Sequence, residues 1–311
     1  MNKINDRSLV VSALKHALPY IRLFKRKIFV LKAGGAAFSD DASTRALMTQ
    51  VGILHQVGIR IVLIHGGGPQ ATTLAGALGM DAKFIEGRRV TDEQSLDVAT
   101  MVLNGQLNTR ILAACRDLEI PAVGISGIDA GLIRAHRRPP VTTKSGQAVD
   151  YGHVGDIESV DANVLRIQLD NGLVPVISPL SCDAAGNVLN VNADTVAAAI
   201  AAELNAEKLI LATGAPGILE DRNDNGSLIS YLDRNGLDRL RDAGKLAEGM
   251  LPKAAAVDAA LANGVARVHI ISFAAADSLL LEIFTNEGTG TLIVNDIEAL
   301  TPAEQIAASA G

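Results

Sequence analysis

Short runs of β-branched residues that end in glycine constrain this 311-residue chain more than any other feature. They read KIFVLKAGG (27–35), RIVLIHGGG (60–68), PAVGISG (121–127) and KLILATG (208–214), with two more runs, VPVISPL (174–180) and RVHIIS (267–272). Runs this short and apolar suit strands buried on both faces, and the helical patterns between them supply the covering layers. The expected class is α/β: an open three-layer αβα sandwich around a central, mainly parallel sheet. A chain with 48% hydrophobic but only 3% aromatic residues fits that plan, because aliphatic side chains fill the space between helices and sheet.

Between the runs, STRALMTQVGILHQVG predicts a helix with Ser43 as N-cap, and ADTVAAAIAAELNA predicts one entered past Asp194. Residues 132–160 are more polar and read as hairpins at the sheet's edge. The strand and helix rhythm restarts at AEKLILAT, which places a lobe boundary near Leu204, and TPAEQIAASAG (301–311) reads as a loosely held tail. A net charge of −6 argues against nucleic acid or a membrane surface as partner, since both call for a basic face. The first 24 residues contain neither a secretory apolar core nor a membrane span, so the expected location is cytoplasmic. Cys115 and Cys182 have no disulfide or metal-ligand spacing and read as small packed side chains.

Strand ends in an open parallel sheet share one edge. Glycine there permits positive φ and close backbone approach, and a following helix N-terminus adds partial positive charge, so several such junctions together form an anion cradle. The spacing is neither G-x-G-x-x-G nor G-x-x-x-x-G-K-[ST], and GISGI around Ser126 misses G-x-S-x-G. Lys32 stands directly before one glycine pair, and Lys253 opens an Ala-rich helix in EGMLPKAAAV. Two lysines embracing a polyphosphate suit phosphoryl transfer, which asks the protein for positioning and cations rather than covalent chemistry. Asp194 reads either as a favourable charge at a helix start or as the group that orients both lysines. Arg88 and Arg89 precede a Thr91 or Asp92 N-cap and offer a fork for a carboxylate. His65 reads as structural, because a carboxylate acceptor is already ionised at neutral pH and needs no base.

The blocks KAGGAA, HGGGPQ, FIEGRRVTDE, VLNGQLN, GISGIDAGLI, NVNADT, PGIL, GMLPK and EGTGTLIV occur in one order between about residues 17 and 294. In that order the chain resembles the N-acetylglutamate kinases of the amino acid kinase family, of the arginine-sensitive type. The resemblance implies ATP-dependent phosphorylation of the γ-carboxylate of N-acetyl-L-glutamate, with Mg2+ carried on the nucleotide phosphates and no metal-ligating side chains. It implies Lys32, Lys253 and Asp194 as catalytic residues and Gly35, Gly66, Gly67, Arg89 and Asn190 as substrate-binding. Thr213, Gly214, Gly217, Ile218, Gly249 and Met250 would meet the nucleotide, and His269, Glu282 and Gly288 would bind arginine as effector.

The same resemblance implies an N-terminal oligomerisation helix (1–24), a substrate-binding lobe (25–204), a nucleotide-binding lobe (205–311), and a homo-oligomer, dimeric or hexameric. Leu9, Val10, Leu14 and Leu18 form a stripe that suits an interface or packing on the chain's own domain. Four positions depart from the family pattern: Gly214 replaces an acid, Glu248 lies near the phosphate path, Ala33 replaces a bulky residue, and the hairpin around Arg137 is unusually basic. These departures keep open a catalytically weak arginine-sensing homologue. A kinase-like domain related to N-acetylglutamate synthase is a further alternative.

Overall fold

The computed structural model describes residues 3–300 except Gly87, Lys144, Ser145, Arg222 and Asn225; the side chains of residues 3–7, Glu248 and Ala299 are outside that description, as is the expected tail, 301–311. Helix α1 (Lys3–Phe24) leads into strand β1 (Ile28–Ala33), α2 (Asp41–Gln56), β2 (Arg60–His65) and α3 (Gly68–Ala77). A two-stranded flap, β3 (Phe84–Ile85) and β4 (Arg88–Arg89), precedes α4 (Glu93–Thr100), a π-helical segment (Met101–Leu107), α5 (Asn108–Asp117) and β5 (Ala122–Ser126). Next come β6 (Ile133–Arg137), β7 (Val141–Thr142), β8 (Ala148–Val149), β9 (Gly155–Val160), α6 (Asn163–Asp170), β10 (Val174–Ser178), β11 (Leu180–Cys182), β12 (Val188–Asn190) and α7 (Ala193–Glu203). The chain continues through β13 (Lys208–Thr213), β14 (Tyr231–Asp233), α8 (Arg234–Asp242), α9 (Leu251–Ala262), β15 (Arg267–Ser272), α10 (Ser278–Phe284) and β16 (Thr291–Val294).

Eight of these strands make one sheet in the order β14-β16-β15-β13-β1-β2-β10-β5. Every pair is parallel except β15 with β16. The period of two along each strand divides the interior into two cores. Val30, Val62, Leu209, Leu211 and Ile270 pack on one face against α6, α7 and α9. Phe29, Leu31, Ile61, Leu63 and Ile210 pack on the other face against α2, α5 and α10. Each such side chain, once fully buried, contributes about 1.5–3 kcal/mol, so the central strands anchor everything at their ends. This is the three-layer αβα arrangement that the sequence predicts.

Some boundaries differ from expectation. The N-cap of α2 is Asp40, whose carboxylate accepts from Ser43 N at 2.7 Å, so Ser43 lies inside the first turn. The run 174–180 breaks at Pro179 into β10 of the main sheet and β11 of a four-stranded sheet, β12-β11-β6-β9. Of its strands only β6 and β9 fall in the stretch 132–160 expected to form hairpins, with β7 and β8 of the same stretch paired apart as a two-stranded sheet, while β11 and β12 join from later in the chain. Asp92, not Thr91, caps α4. Cys115 is buried and Cys182 partly so. No helix among the described residues is long and apolar enough to cross a membrane.

Candidate active site

At the C-terminal end of β1, Lys32 is 6% exposed, and its Nζ lies 3.9 Å from the position a side chain on Gly34 would take. The parallel register sets Ala33 beside His65, so the glycines after β1 and β2 meet. A Cβ on Gly35 would come within 2.9 Å of Gly67 Cα, and one on Gly67 would lie 2.7 Å from the Leu103 side chain. Close approach, rather than positive φ, is therefore what favours glycine at positions 35 and 67, and Gly34, Gly35, Gly66, Gly67 and Gly68 all lie outside the positive-φ region. Gly67 is the N-cap of α3, whose first amides lack intrahelical acceptors and whose dipole favours an anion.

Asp194 reaches the same place from the first turn of α7, where Asn192 caps the helix and accepts from Asp194 N at 2.8 Å. Its Oδ1 lies 2.7 Å from Lys32 Nζ and its Oδ2 lies 3.6 Å from Lys253 Nζ. The Lys32 contact is an ion pair by distance, and no well-aligned hydrogen bond falls on Oδ1. Both ammonium groups thus meet one carboxylate, well inside the ~10 Å over which charges in salt solution influence one another. Burial lowers the Lys32 pKa, the Asp194 carboxylate opposes that shift, and the Lys253 charge adds to it.

A cavity of about 660 Å3 opens over these groups and includes Lys32, Gly35, Gly66, Gly67, Arg89 and Asn190 in its wall. Lys253 is not part of that wall; it stands at the edge beside Pro252 and also donates to Gly249 O at 3.2 Å. Arg89 lies over the Phe84 ring, 4.9 Å from its centre, and donates to Thr72 Oγ1 at 2.5 Å. Burial lowers its pKa, far from any loss of charge in the working range. Asn190 Nδ2 donates to Thr91 Oγ1 at 3.3 Å.

Two of the four glycine junctions build this cavity, and two do not. The Gly124–Gly131 junction begins inside β5 and leaves it at the far edge of the sheet, where Asp129 Oδ2 accepts from Ser126 N and Oγ and closes the turn on itself. Gly214 follows β13, next to β1, but lies outside this cavity, as do Thr213, Gly217, Ile218, Gly249 and Met250. Thr213 Oγ1 folds back onto the Ala215 backbone, and Ile218 N donates to Thr291 Oγ1 at 2.8 Å. Gly249 and Met250 form the turn before α9. Among the departures, Ala33 is fully buried in β1, and Arg137 is occupied by Asp150 and Gly152 O on the hairpin. The Glu248 side chain lies outside the described residues.

His269, Glu282 and Gly288 come together elsewhere, beside a second cavity of about 530 Å3. His269 Nδ1 donates to Glu282 Oε1 at 2.6 Å, and Lys208 Nζ donates to His269 Nε2 at 2.9 Å. Glu282 Oε2 accepts from the amides of Thr289 and Gly290 at 2.6 and 3.0 Å. Burial raises the Glu282 pKa, but the hydrogen bond from His269 Nδ1 and the two amides outweigh it and hold the carboxyl below its ordinary value. Pro19, Tyr20 and Phe24 of α1 form one wall, and Tyr20 Oη donates to Asn286 Oδ1. Lys208 shares a row with Phe29, three residues before Lys32, so the two lysines are offset by about 10 Å along the strands and lie on opposite faces of the sheet.

Sequence reasoning passed over Thr72, Asn192, Lys208 and Asn108. Asn192 carried a usable signal, an Asn two residues before a helical acid; the other three are placed by contacts distant in the chain.

Comparison with known proteins is consistent with this geometry. The model of the amino acid kinase family matches residues 27–272. An acetylglutamate kinase from Myxococcus xanthus is 47% identical over 290 residues, covering 92% of this chain and 94% of its own length. One from Symbiobacterium thermophilum is 43% identical, covering 91% and 97%. The crystal structure of N-acetylglutamate synthase from Neisseria gonorrhoeae complexed with coenzyme A and L-arginine matches with a TM-score of 0.79 at 31% identity; it covers 92% of this chain, which spans 65% of that synthase.

Proposed function

The chain belongs to the amino acid kinase family, and we propose that it transfers the γ-phosphoryl group of ATP to the γ-carboxylate of N-acetyl-L-glutamate, forming N-acetylglutamyl 5-phosphate in arginine biosynthesis. The observation that carries this reading is the pair of ammonium groups on Asp194 beside the glycine cradle. A carboxylate oxygen attacks the γ-phosphorus, the bond to the β-bridging oxygen breaks, and ADP leaves with that electron pair. No proton has to move. Lys32 and Lys253 face the charge that spreads over the moving group from two sides, and Asp194 keeps them there. Gly35, Gly66 and Gly67 present amides to the phosphoryl group and the reacting carboxylate. Arg89 grips the α-carboxylate by its fork, and Asn190 holds the rest of the substrate.

The nucleotide is assigned to the ends of β13 and α9, at Thr213, Gly214, Gly217, Ile218, Gly249 and Met250, in the lobe after Leu204. The lobe before it binds the amino-acid substrate. Mg2+ is assigned to the phosphates of the bound nucleotide. When bound, Mg2+ neutralises phosphate charge.

Arginine is assigned to the second cavity, its guanidinium toward Glu282 and its backbone toward Gly288, as feedback inhibitor. The exposed stripe of α1 is assigned to contact between copies of the chain in a dimer or hexamer.

Trapping of the acyl phosphate with hydroxylamine, from N-acetylglutamate, MgATP and pure protein, tests the reaction. The expected result is hydroxamate formation that Lys253→Ala lowers by about 10²–10³-fold and arginine inhibits. A wild type that forms no hydroxamate but is thermally stabilised by arginine refutes the kinase and leaves a sensor. Turnover indifferent to arginine removes the regulatory assignment alone.

A further inference from the structure

The last residue of β2, His65, is fully buried behind the glycine cradle. Its Nδ1 lies 3.2 Å from Gly66 O, and its Nε2 lies 3.1 Å from Asn108 Nδ2. The same Nδ2 donates to the Val176 carbonyl at 3.0 Å. That second contact fixes the chemistry of the first. A backbone carbonyl can only accept, so the NH2 side of the Asn108 amide must face Val176 and therefore also His65. Nε2 is then the unprotonated acceptor, and the imidazole proton sits on Nδ1, where it donates to Gly66 O. Burial lowers the His65 pKa to about 4 against the opposing bond to Gly66, so the ring is neutral at physiological pH.

A trans peptide holds its C=O and the following N–H on opposite sides. With Gly66 O pinned inward on the imidazole, the Gly67 N–H points away from the core, toward the cavity that Gly66, Gly67 and Lys32 line. The π-helical segment supports the other side of the same peptide. Its Leu103 and Leu107 crowd Gly67, while Asn108, the residue after it, faces His65.

We propose that His65, its tautomer set by Asn108 and Val176, is a positioning residue that locks the Gly66–Gly67 peptide with its N–H aimed at the transferring phosphoryl group. The proposal rests on the phosphoryl-transfer reading of this cavity. His65 touches no reactant; it acts through the peptide.

Two measurements test it. In the intact wild-type protein, 15N NMR of labelled imidazole is expected to show His65 neutral with the proton on Nδ1; a proton on Nε2 overturns the lock whether or not the protein turns over. Side-chain replacement then separates positioning from packing. Asparagine sets an amide nitrogen near the position of Nδ1, and glutamine sets one near Nε2. His65→Asn is expected to keep kcat near the wild-type value, while His65→Gln lowers it by about 10²-fold, the loss typical of a misdirected oxyanion donor, with the KM for MgATP unchanged in both. Equal loss of kcat in the two variants overturns the proposal. A wild type without turnover removes the kinase reading, and the imidazole spectrum still decides the lock.

Discussion

Lys32 is held between opposing influences: burial drives its ammonium below the ordinary lysine pKa of 10.5, the Asp194 carboxylate raises it, and the Lys253 charge lowers it again. In the proposed mechanism the active form of Lys32 is protonated, so activity is expected to fall as pH rises through the lowered value. In the free protein, kcat/KM is therefore expected to decline at a pH below 10.5. Asp194→Asn removes the raising influence and moves that alkaline limb further down. It also breaks a buried ion pair, with an expected loss of about 3–5 kcal/mol in denaturant unfolding. An alkaline limb in the same place for both proteins shows that another group governs it. Lys32 was legible from sequence because it interrupts an apolar run directly before a glycine pair. Thr72, Asn108 and Lys208 were not, because their partners stand 17, 43 and 61 residues away and no local periodicity encodes them.

Among the elements, the π-helical segment Met101–Leu107 has the most specific task, since its Leu103 leaves room for no side chain on Gly67. Gly67→Ala is expected to destabilise the fold by about 1–3 kcal/mol through overpacking. Displacing the cradle amide lowers kcat by about 10²-fold as well. Thermal unfolding and steady-state kinetics check both; an alanine variant with wild-type kcat shows that the cradle is not packed against this segment during turnover. Element types were mostly legible. Apolar runs of five or six residues announced β1, β2, β5, β10, β13 and β15, whereas β14 and β16 have three and four residues, too few to establish a period. Ser43 and Asp40 are both good caps three residues apart, and only the tertiary path of the chain selects Asp40.

Across the whole molecule, strand order separates one glycine junction from the others. Neighbouring strands β1 and β2 bring theirs into contact, while β5, last in the order, carries its junction out of reach. Strand order is set by pairing between distant segments, so the sequence disclosed four similar junctions without disclosing that two would form the cradle. The outer stripe of α1 is equally a matter of the whole: Leu9 and Leu14 are 67% and 64% exposed, while Tyr20 and Phe24 are occupied at the second cavity. If that stripe joins copies of the chain, Leu14→Asp lowers the sedimentation coefficient while leaving the thermal midpoint of the isolated chain nearly unchanged. A wild type that sediments as a monomer at micromolar concentration excludes the assembly.

The paired strands β1 and β13 are nearly solvent-free along most of their length, but β1 runs into the largely buried 3-10 turn Gly35–Phe38, whereas β13 ends at the exposed Gly214. In heavy water their mid-strand amides should take up deuterium only through global opening, while the amide of exposed Gly214 exchanges within the dead time of mixing. The boundary between the slowest and the fastest hydrogens would then fall within about three residues of Leu211, the strand partner of Lys32.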